Sequence, residues 1–482
     1  MMMEEFLILN IIFIPLIGAL VLPLLARVSA RLRNFCAFFF IAAPFIFSLK
    51  LIPLALAGKV IIFCKPLLFG FNFTLQADSL AVFMACVSSL VSTVIIFYSL
   101  GYISHYKNQN EYYSMVVLFL GAMMGLVFSA NLIFLYLFWE ITAITSWRLI
   151  GFFRQESDVF KADKSFLVTV FGALLMLLGF IMLAQQAKSF DLPIIKLALT
   201  NTPVSNTALF LILAGILSKS ATLPFQTWLP DAGVAPSPVT ALLHAAVLVK
   251  IGVYVFARLF GATLVLPQVL HLWVPVIAVA SAIVSAGAAL IETNLKRIIA
   301  YSTISQIGFI FFGLAVGNET AITGALLYIL MHGIAKAGLF LCAGIVEQNA
   351  KTKDITQLGG LIKTMPVTAL AFLACAFSVM GIPPFGGFFS KYLVFSGAIQ
   401  SGQLWVTAAF FVGAILTILY LFRVFNMVFL GELKVSTAKE GSFTMVSSVA
   451  LLGFLSLISG ILVWYPLFFA RFSALEMLGF VR

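Results

Sequence analysis

Residues 211–259 read LILAGILSKSATLPFQTWLPDAGVAPSPVTALLHAAVLVKIGVYVFARL. Two long apolar runs flank a short turn. The first carries Lys219 and is then interrupted by Pro224 and Pro230; the second carries His244 and Lys250. Apolar runs of this length are membrane-crossing helices, because backbone polar groups cannot stay unpaired in lipid. Proline removes an amide donor and clashes with the preceding turn, so the first helix should break beyond Lys219. Unwound backbone at membrane depth is tolerated only where it lines a cavity or is buried in protein. The stretch predicts an all-α integral membrane protein with ionisable groups and breaks inside its helices.

The whole chain agrees. Of 482 residues, 62% are hydrophobic and only 9% charged, with a mean hydropathy of +1.14; a soluble domain carries about 25% charged residues. Fourteen apolar segments can be marked, at about 6–26, 34–56, 79–101, 113–130, 132–153, 165–186, 206–223, 238–258, 270–291, 298–316, 321–346, 366–390, 403–429 and 443–470. They form one polytopic domain, 1–482. The acidic start before Phe6 suits a first transmembrane helix better than a signal peptide. The net charge of +11 comes without a basic run or a nucleic-acid-binding motif. Cys36, Cys64, Cys86, Cys342 and Cys375 are scattered, with no C-x-x-C, and read as small apolar side chains in helices rather than metal ligands.

Basic residues orient such a chain. With the first residue outside, the inward loops hold Arg27, Arg31, Arg33, Lys107, Arg154, Lys161, Lys164, Lys296, Arg297, Lys351, Lys353, Lys363, Arg423, Lys434 and Lys439. The outward side holds fewer: Lys50, Lys59, Lys65, Lys188, Lys196, Arg258, Arg471 and Arg482. Both ends are therefore expected outside. Arg148, Lys219, Lys250, Lys336 and Lys391 fall within the spans.

A charge at the bilayer centre costs about 2.5–3.5 kcal/mol even on a lenient scale, so such residues face a bundle interior or a water-filled cavity. A buried lysine can gain and lose a proton near neutral pH, whereas arginine stays charged. Glu140 lies in LYLFWEITAITSWRLIGFF (135–153), in the span before the one preceding Lys219. The two read as an ion-pair switch, or as a static bridge between helices. A second break is expected in VMGIPPFGGFFSKYLVF (379–395), at Gly381, Pro383, Pro384, Gly386 and Gly387, with Lys391 just beyond. Paired interrupted helices mark transport sites in inverted-repeat transporters. The alternative for Lys391 is snorkelling to the interface. His244 and Lys250 are six residues apart, about 120° on a regular helix, and would share a path only through a local break or bridging water. His332 and Lys336 in LLYILMHGIAKAGLFLCAGIV (326–346) are four apart and share a face. Arg148 reads as an interface anchor or the partner of a carboxylate; Asp78, Asp231 and Glu292 read as anchors or caps. No phosphate loop, dinucleotide fingerprint or cofactor ligand set occurs, so no cofactor or metal is expected. The energy for transport would come from an ion gradient or a partner.

Several of these motifs resemble one family. FWEITAITSWRLIGFF (138–153) resembles the fifth helix of the antiporter-like subunits of respiratory complex I (NADH:quinone oxidoreductase). Residues 217–259 resemble their seventh and eighth helices, and LKRIIAYSTISQIGF (295–309), MHGIAKAGLF (331–340) and GIPPFGGFFSK (381–391) continue the likeness over about 70–430. The family includes subunits of Mrp-type Na+/H+ antiporters and membrane-bound hydrogenases. The resemblance implies fourteen helices with two inverted five-helix repeats, about 113–258 and about 270–429. It implies a first half-channel built on Glu140 and Lys219. A central relay would use Lys250 or Lys336 with His244 and His332, and Lys391 would be the terminal lysine. Lys250 and GIPPFGGFFSK look closer to the antiporter and hydrogenase members. The long lateral helix of the largest complex I member is not expected in a chain ending at Arg482, and Arg148 stands where an apolar residue is expected. Three functions are then open: a proton- or sodium-translocating subunit of a redox-driven membrane complex, a subunit of a secondary antiporter without redox chemistry, and an inactive scaffold. The unused buried charge weighs against the scaffold. The expected partners are other membrane subunits, further antiporter-like ones included, and a peripheral redox arm in the first case. The expected location is a bacterial or archaeal cytoplasmic membrane.

Overall fold

The structure, a computed structural model, describes residues 2–67, 72–265 and 267–480. Arg482, counted above on the outward side, lies outside the described residues. In chain order the helices are α1 (Met2–Val28), α2 (Ala30–Leu56), α3 (Ser79–Tyr102), α4 (Gln109–Phe128), α5 (Leu132–Ile150), α6 (Glu156–Ala187), α7 (Leu192–Leu199), α8 (Asn206–Lys219), α9 (Trp228–Asp231), α10 (Ser237–Ala241), α11 (Leu248–Ala257), α12 (Gln268–Ile291), α13 (Leu295–Val316), α14 (Glu319–Ala350), α15 (Pro366–Met380), α16 (Gly386–Gln400), α17 (Leu404–Phe429), α18 (Phe443–Ile461) and α19 (Trp464–Met477). Among the described residues, twelve continuous helical stretches are long and apolar enough to cross a membrane. Two further crossings are interrupted, α8 with α9 and α15 with α16, so both expected breaks are present.

Polar residues set the helix starts. Asp78, Asn131, Asn294 and Asn318 each accept a hydrogen bond from a backbone N–H in the first turn of α3, α5, α13 and α14, satisfying donors the helix leaves free. The centre of the bundle is α14, α13 and the run 237–263, whose apolar windows are 94–100% buried. Around them α1, α2, α6, α12, α17 and α18 are less than half buried and present leucine, isoleucine and phenylalanine outward. That arrangement needs lipid or another subunit as solvent.

Three features depart from the sequence reading. Residues 61–66 (β1) and 72–77 (β2) pair as an antiparallel hairpin, Ile61 opposite Ala77 and Pro66 opposite Asn72, in what the all-α expectation left as loop. Cys64 lies on β1, exposed, and not in a helix. The segment read as 443–470 divides at Leu462 and Val463 into α18 and α19.

One local device occurs twice. Leu132 N donates to Phe190 O (2.9 Å) and Leu192 N to Ala130 O (2.8 Å); Leu295 N donates to Lys353 O (2.8 Å) and Ile355 N to Thr293 O (3.0 Å). Each pins the start of a span to the chain that leaves the next one. Five crossings separate Asn131 from Asn294, an odd number, so the two devices lie on opposite faces of the bundle. They differ in strength. Asp191, 7% exposed, accepts from Asn131 Nδ2 (2.8 Å), Thr74 Oγ1 (3.0 Å) and Asn72 Nδ2 (2.9 Å). Among the described residues Asp354 accepts only from Thr356, in its own turn. Asp191→Ala should therefore cost about 3 kcal/mol, since it strands several donors that were bonded to a charge. Asp354→Ala should barely change stability. Thermal unfolding of the two variants in detergent checks this; equal shifts would refute it.

Candidate functional site: a row of buried lysines

α8 stops at Lys219, where Ala221 turns left-handed (φ 51°) and Pro224 follows five residues on. Lys219 is fully buried. Its Nζ donates to the carbonyl oxygen of Trp139 on α5 (3.2 Å) and lies 5.2 Å from the centre of that indole ring. Trp228 at the start of α9 turns its Nε1 back to Ser218 O (3.0 Å), satisfying one carbonyl that the break leaves free. Glu140 is the next residue on α5. It is an electrostatic neighbour of Lys219, but the two make no ion pair among the described residues: the expected direct switch pair is not joined. Glu140 sits half-buried towards the outside of the bundle. Around this break Trp139 Nε1, Glu140 Oε1, Ser220 Oγ, Thr222 Oγ1 and Gln226 Oε1 are buried with no hydrogen-bond partner among the described residues.

The second crossing of the opening stretch is not one regular helix. Residues 242–246 and 258–263 are π-helical, and Val247 leaves helical geometry (φ −127°, ψ −74°). π segments recur at functional sites because they re-aim side chains. Here the first supplies the local break that the His244–Lys250 spacing requires. Lys250 is fully buried, and its Nζ donates to Ala245 O at that break. A Cβ at Gly333 on α14 would lie 2.5 Å from this ammonium, so glycine is what lets α14 approach. Next to it His332 is fully buried, as is His244, and neither ring has a hydrogen-bond partner among the described residues. Lys336 shares a helix face with His332 but reaches α13 instead, donating to Ile299 O (3.1 Å) and to Ser302 Oγ. His332 is the hub, with Lys250, Lys336, His244 and Lys391 all acting on it electrostatically.

α15 ends at Gly381, whose φ of +82° favours glycine. Pro383 and Pro384 follow, and α16 begins at Gly386. Lys391 does not snorkel. It is 5% exposed, its Nζ donates to Val379 O (2.7 Å), and it faces the rings of Phe309 (4.7 Å) and Tyr328 (5.6 Å). Tyr328 donates to Gln306 Oε1 (2.5 Å) and Gln306 Nε2 to Thr417 Oγ1 (3.1 Å). Ser302, Gln306, Tyr328 and Thr417 were not singled out from the sequence; the four-residue spacing of Ser302 and Gln306 on α13 is the signal that marks them.

Lys219, Lys250, Lys336 and Lys391 thus share one arrangement. Each is buried, each donates to a main-chain carbonyl, and among the described residues none is within ion-pair distance of a carboxylate. Electrostatically they fall into two groups: Glu140 with Lys219, and the other three lysines with both histidines.

The remaining charges settle at span ends. Arg148 and Arg154 both pair with Glu111, so Arg148 joins a carboxylate at the end of α5. Asp231 pairs with Lys164 and Arg297 (2.7 Å each), and Glu292 with Arg297 (2.8 Å). Partial burial pushes the Asp231 carboxyl up, but Lys164 and Arg297 outweigh it and hold the group below the usual carboxylate range. Three basic residues read as loop charges are in fact buried. Arg33 is 4% exposed and donates to Asn110 and to Gln109 Oε1 (2.6 Å) on α4. Arg258 is 4% exposed and clamps Asp78 with both terminal nitrogens; Lys296, 2% exposed, pairs with Glu347 (2.9 Å).

Comparison with known proteins gives this arrangement a family. The profile described as NADH:quinone oxidoreductase/Mrp antiporter, transmembrane, matches residues 129–417, and that of the N-terminus of NADH-ubiquinone oxidoreductase (complex I) chain 5 matches 67–113. Na(+)/H(+) antiporter subunit A1 of Staphylococcus aureus is 34% identical over 492 aligned positions, covering 93% of this chain and 60% of that protein. The chain thus spans about three-fifths of this relative's length. A chain of the Mrp complex from Dietzia sp. DQ12-45-1b superposes with a TM-score of 0.90 at 21% identity, over 99% of this chain and 98% of that one. A chain of the membrane-bound sulfane sulfur reductase, an archaeal respiratory membrane complex, gives 0.90 at 23% identity, over 98% and 99%. The chain is an integral membrane protein of the NADH:quinone oxidoreductase/Mrp antiporter transmembrane family.

Proposed function

We propose that the chain is an ion-translocating membrane subunit in which protons, or sodium ions coupled to them, move along Glu140, Lys219, His244, Lys250, His332, Lys336 and Lys391. The observation that carries this reading is the set of four buried lysines bonded to backbone carbonyls and unpaired with carboxylates. Charge kept at such cost needs a use other than packing. The breaks at 220–227 and 381–385 and the π segment at 242–246 place three of these lysines beside irregular backbone. The unpartnered histidines and hydroxyls between them fit a path completed by water, the group that satisfies such atoms in polar interiors. Residues about 113–258 and about 270–429 act as two inverted repeats, a reading supported by the pinning device found on opposite faces.

Glu140 supports a partner. A carboxylate on the outer side of a span is too costly to leave in lipid, so another membrane subunit covers α5. Both chain ends lie outside, and the membrane is a bacterial or archaeal cytoplasmic one. Of the two driving forces, the 34% identical relative favours exchange of sodium for protons without redox chemistry.

The test is Lys219→Ala in the assembled complex. Ion exchange by everted vesicles should fall at least tenfold, as expected for loss of a proton-transfer group (about 10²–10⁴). Unchanged exchange would end the relay assignment. Exchange that requires oxidation of an added electron donor would replace the antiporter reading with a redox-driven one.

A further inference from the structure

We infer that the row of lysines has a second outlet, on the face carrying the β1–β2 hairpin, where Tyr254 and Glu476 pass protons and the Arg258–Asp78 pair bars hydrated cations. This rests on the translocation reading above and adds a route away from either broken helix.

The outlet is built on one helix. Lys250, Tyr254 and Arg258 follow at four-residue intervals and so share a face; they are 0%, 1% and 4% exposed. The Tyr254 hydroxyl accepts from Arg258 Nε (3.0 Å) and Nη2 (2.9 Å) and donates to Val127 O on α4. Arg258 holds Asp78 with two parallel bonds, one of them 2.7 Å. Asp78 is otherwise fully engaged, accepting from Ala81 N (2.9 Å) and Gln76 Nε2 (3.0 Å). Glu476 on α19 sits beside this pair, accepting from Ser79 N (3.0 Å) and from Ser79 Oγ. Asp78, Arg258 and Glu476 line a cavity of about 550 Å³ with Gln76, Ser129, Lys196 and Thr263, and Tyr254 stands behind Arg258, outside that lining. The ladder thus runs from a cavity at the hairpin face to Tyr254, one helical turn along the same face from Lys250, whose ammonium bonds Ala245 O.

The chemistry follows from the groups. A guanidinium stays charged, so Arg258 cannot relay a proton; paired with Asp78 it is neutral overall, and the two locked side chains bar a hydrated sodium or potassium ion by filling the neck. The Tyr254 hydroxyl can accept one proton as it gives up another. A proton leaving the Lys250 ammonium leaves a neutral amine; Glu476 takes it up as a carboxylic acid and releases it to the cavity. A static clamp between α3 and α11 would need the Arg258–Asp78 pair, but neither a tyrosine one turn from Lys250 on its helix face nor a second carboxylate at the cavity.

The experiment uses the whole complex in liposomes. Tyr254→Phe and Glu476→Gln should each slow driven translocation about tenfold with unchanged thermal stability, the scale of losing one positioned proton carrier. The paired variant Asp78→Asn/Arg258→Gln removes both charges together, leaving neither unpaired. It should raise passive uptake of radioactive sodium about tenfold in undriven vesicles, since the charge-assisted bonds that lock the two side chains across the neck are gone. Parent rates in both single variants, or sodium tightness in the paired variant, overturns the outlet. If the paired variant fails to assemble, the two single variants decide. A normal loss in Lys219→Ala alongside unaffected Tyr254→Phe and Glu476→Gln confines the failure to the outlet; parent rates in Lys219→Ala as well place it in the translocation reading itself.

Discussion

Lys336→Met should abolish ion translocation while leaving the protein as stable as the parent, or more so. The two effects have opposite signs because the lysine is costly where it stands. Its side chain is fully buried, its Nζ bonds only Ile299 O and Ser302 Oγ, and no carboxylate pairs with it among the described residues. Lys391 and His244 are its electrostatic neighbours, so it stands among like charges or groups that become so. Methionine has similar length, fills the same volume and needs no counter-ion. Replacing buried ions by apolar side chains is neutral or stabilising by about 1–4 kcal/mol, against about 1 kcal/mol for the partner lost by Ser302. Transport should fall at least about a hundredfold, the contribution of a positioned proton carrier. Vesicle exchange assays and thermal unfolding of the purified complex read the two effects. A lysine kept for packing would show the reverse: transport near the parent rate and a clear loss of stability.

What could be read from the sequence was what depends on local chemistry. The breaks near Pro224 and at Gly381–Pro384 follow from a missing amide and a left-handed glycine, wherever those residues stand in a helix. The lysines stand out because charge in an apolar run is expensive in any fold. What depends on a partner from another helix was hidden. Lys219 bonds the carbonyl of Trp139 rather than the carboxylate of Glu140, and nothing along the chain distinguishes the two. Arg258 and Lys296 lie near span ends, where burial depends on how α3 and α14 pack over them; counting them as loop charges missed both ion pairs. The π turns at 242–246 and 258–263 leave no mark in composition, since one added residue per turn changes register and not hydrophobicity. Ser302, Gln306 and Tyr328 looked like ordinary polar residues in spans until α13, α14 and α17 came together around them.

Gly333→Ala should cut translocation about tenfold without weakening the fold, and the reason is the contact with Lys250. The added Cβ would stand 2.5 Å from Lys250 Nζ, 3.3 Å from Ala245 O and 3.6 Å from Val87 Cγ1. Only the first is a severe clash, and its partner is the far end of a flexible side chain, so the ammonium moves and the helices stay. Alanine also gains about 0.5–1 kcal/mol over glycine inside a helix, which offsets the strain. The functional loss comes from position: the ammonium is driven off Ala245 O, the carbonyl at the π segment, and away from His332 next along α14. A displacement of about 1 Å in a reacting group can cost up to a hundredfold. The mechanism makes a sharper demand than the loss itself. In a Lys250→Met background no ammonium remains to displace, so Gly333→Ala should have no further effect on transport, and the double-mutant cycle should show the two changes as strongly coupled. If instead the effects of Gly333→Ala and Lys250→Met simply add, the glycine acts through helix packing, and Lys250 does not need the place where the structure puts it.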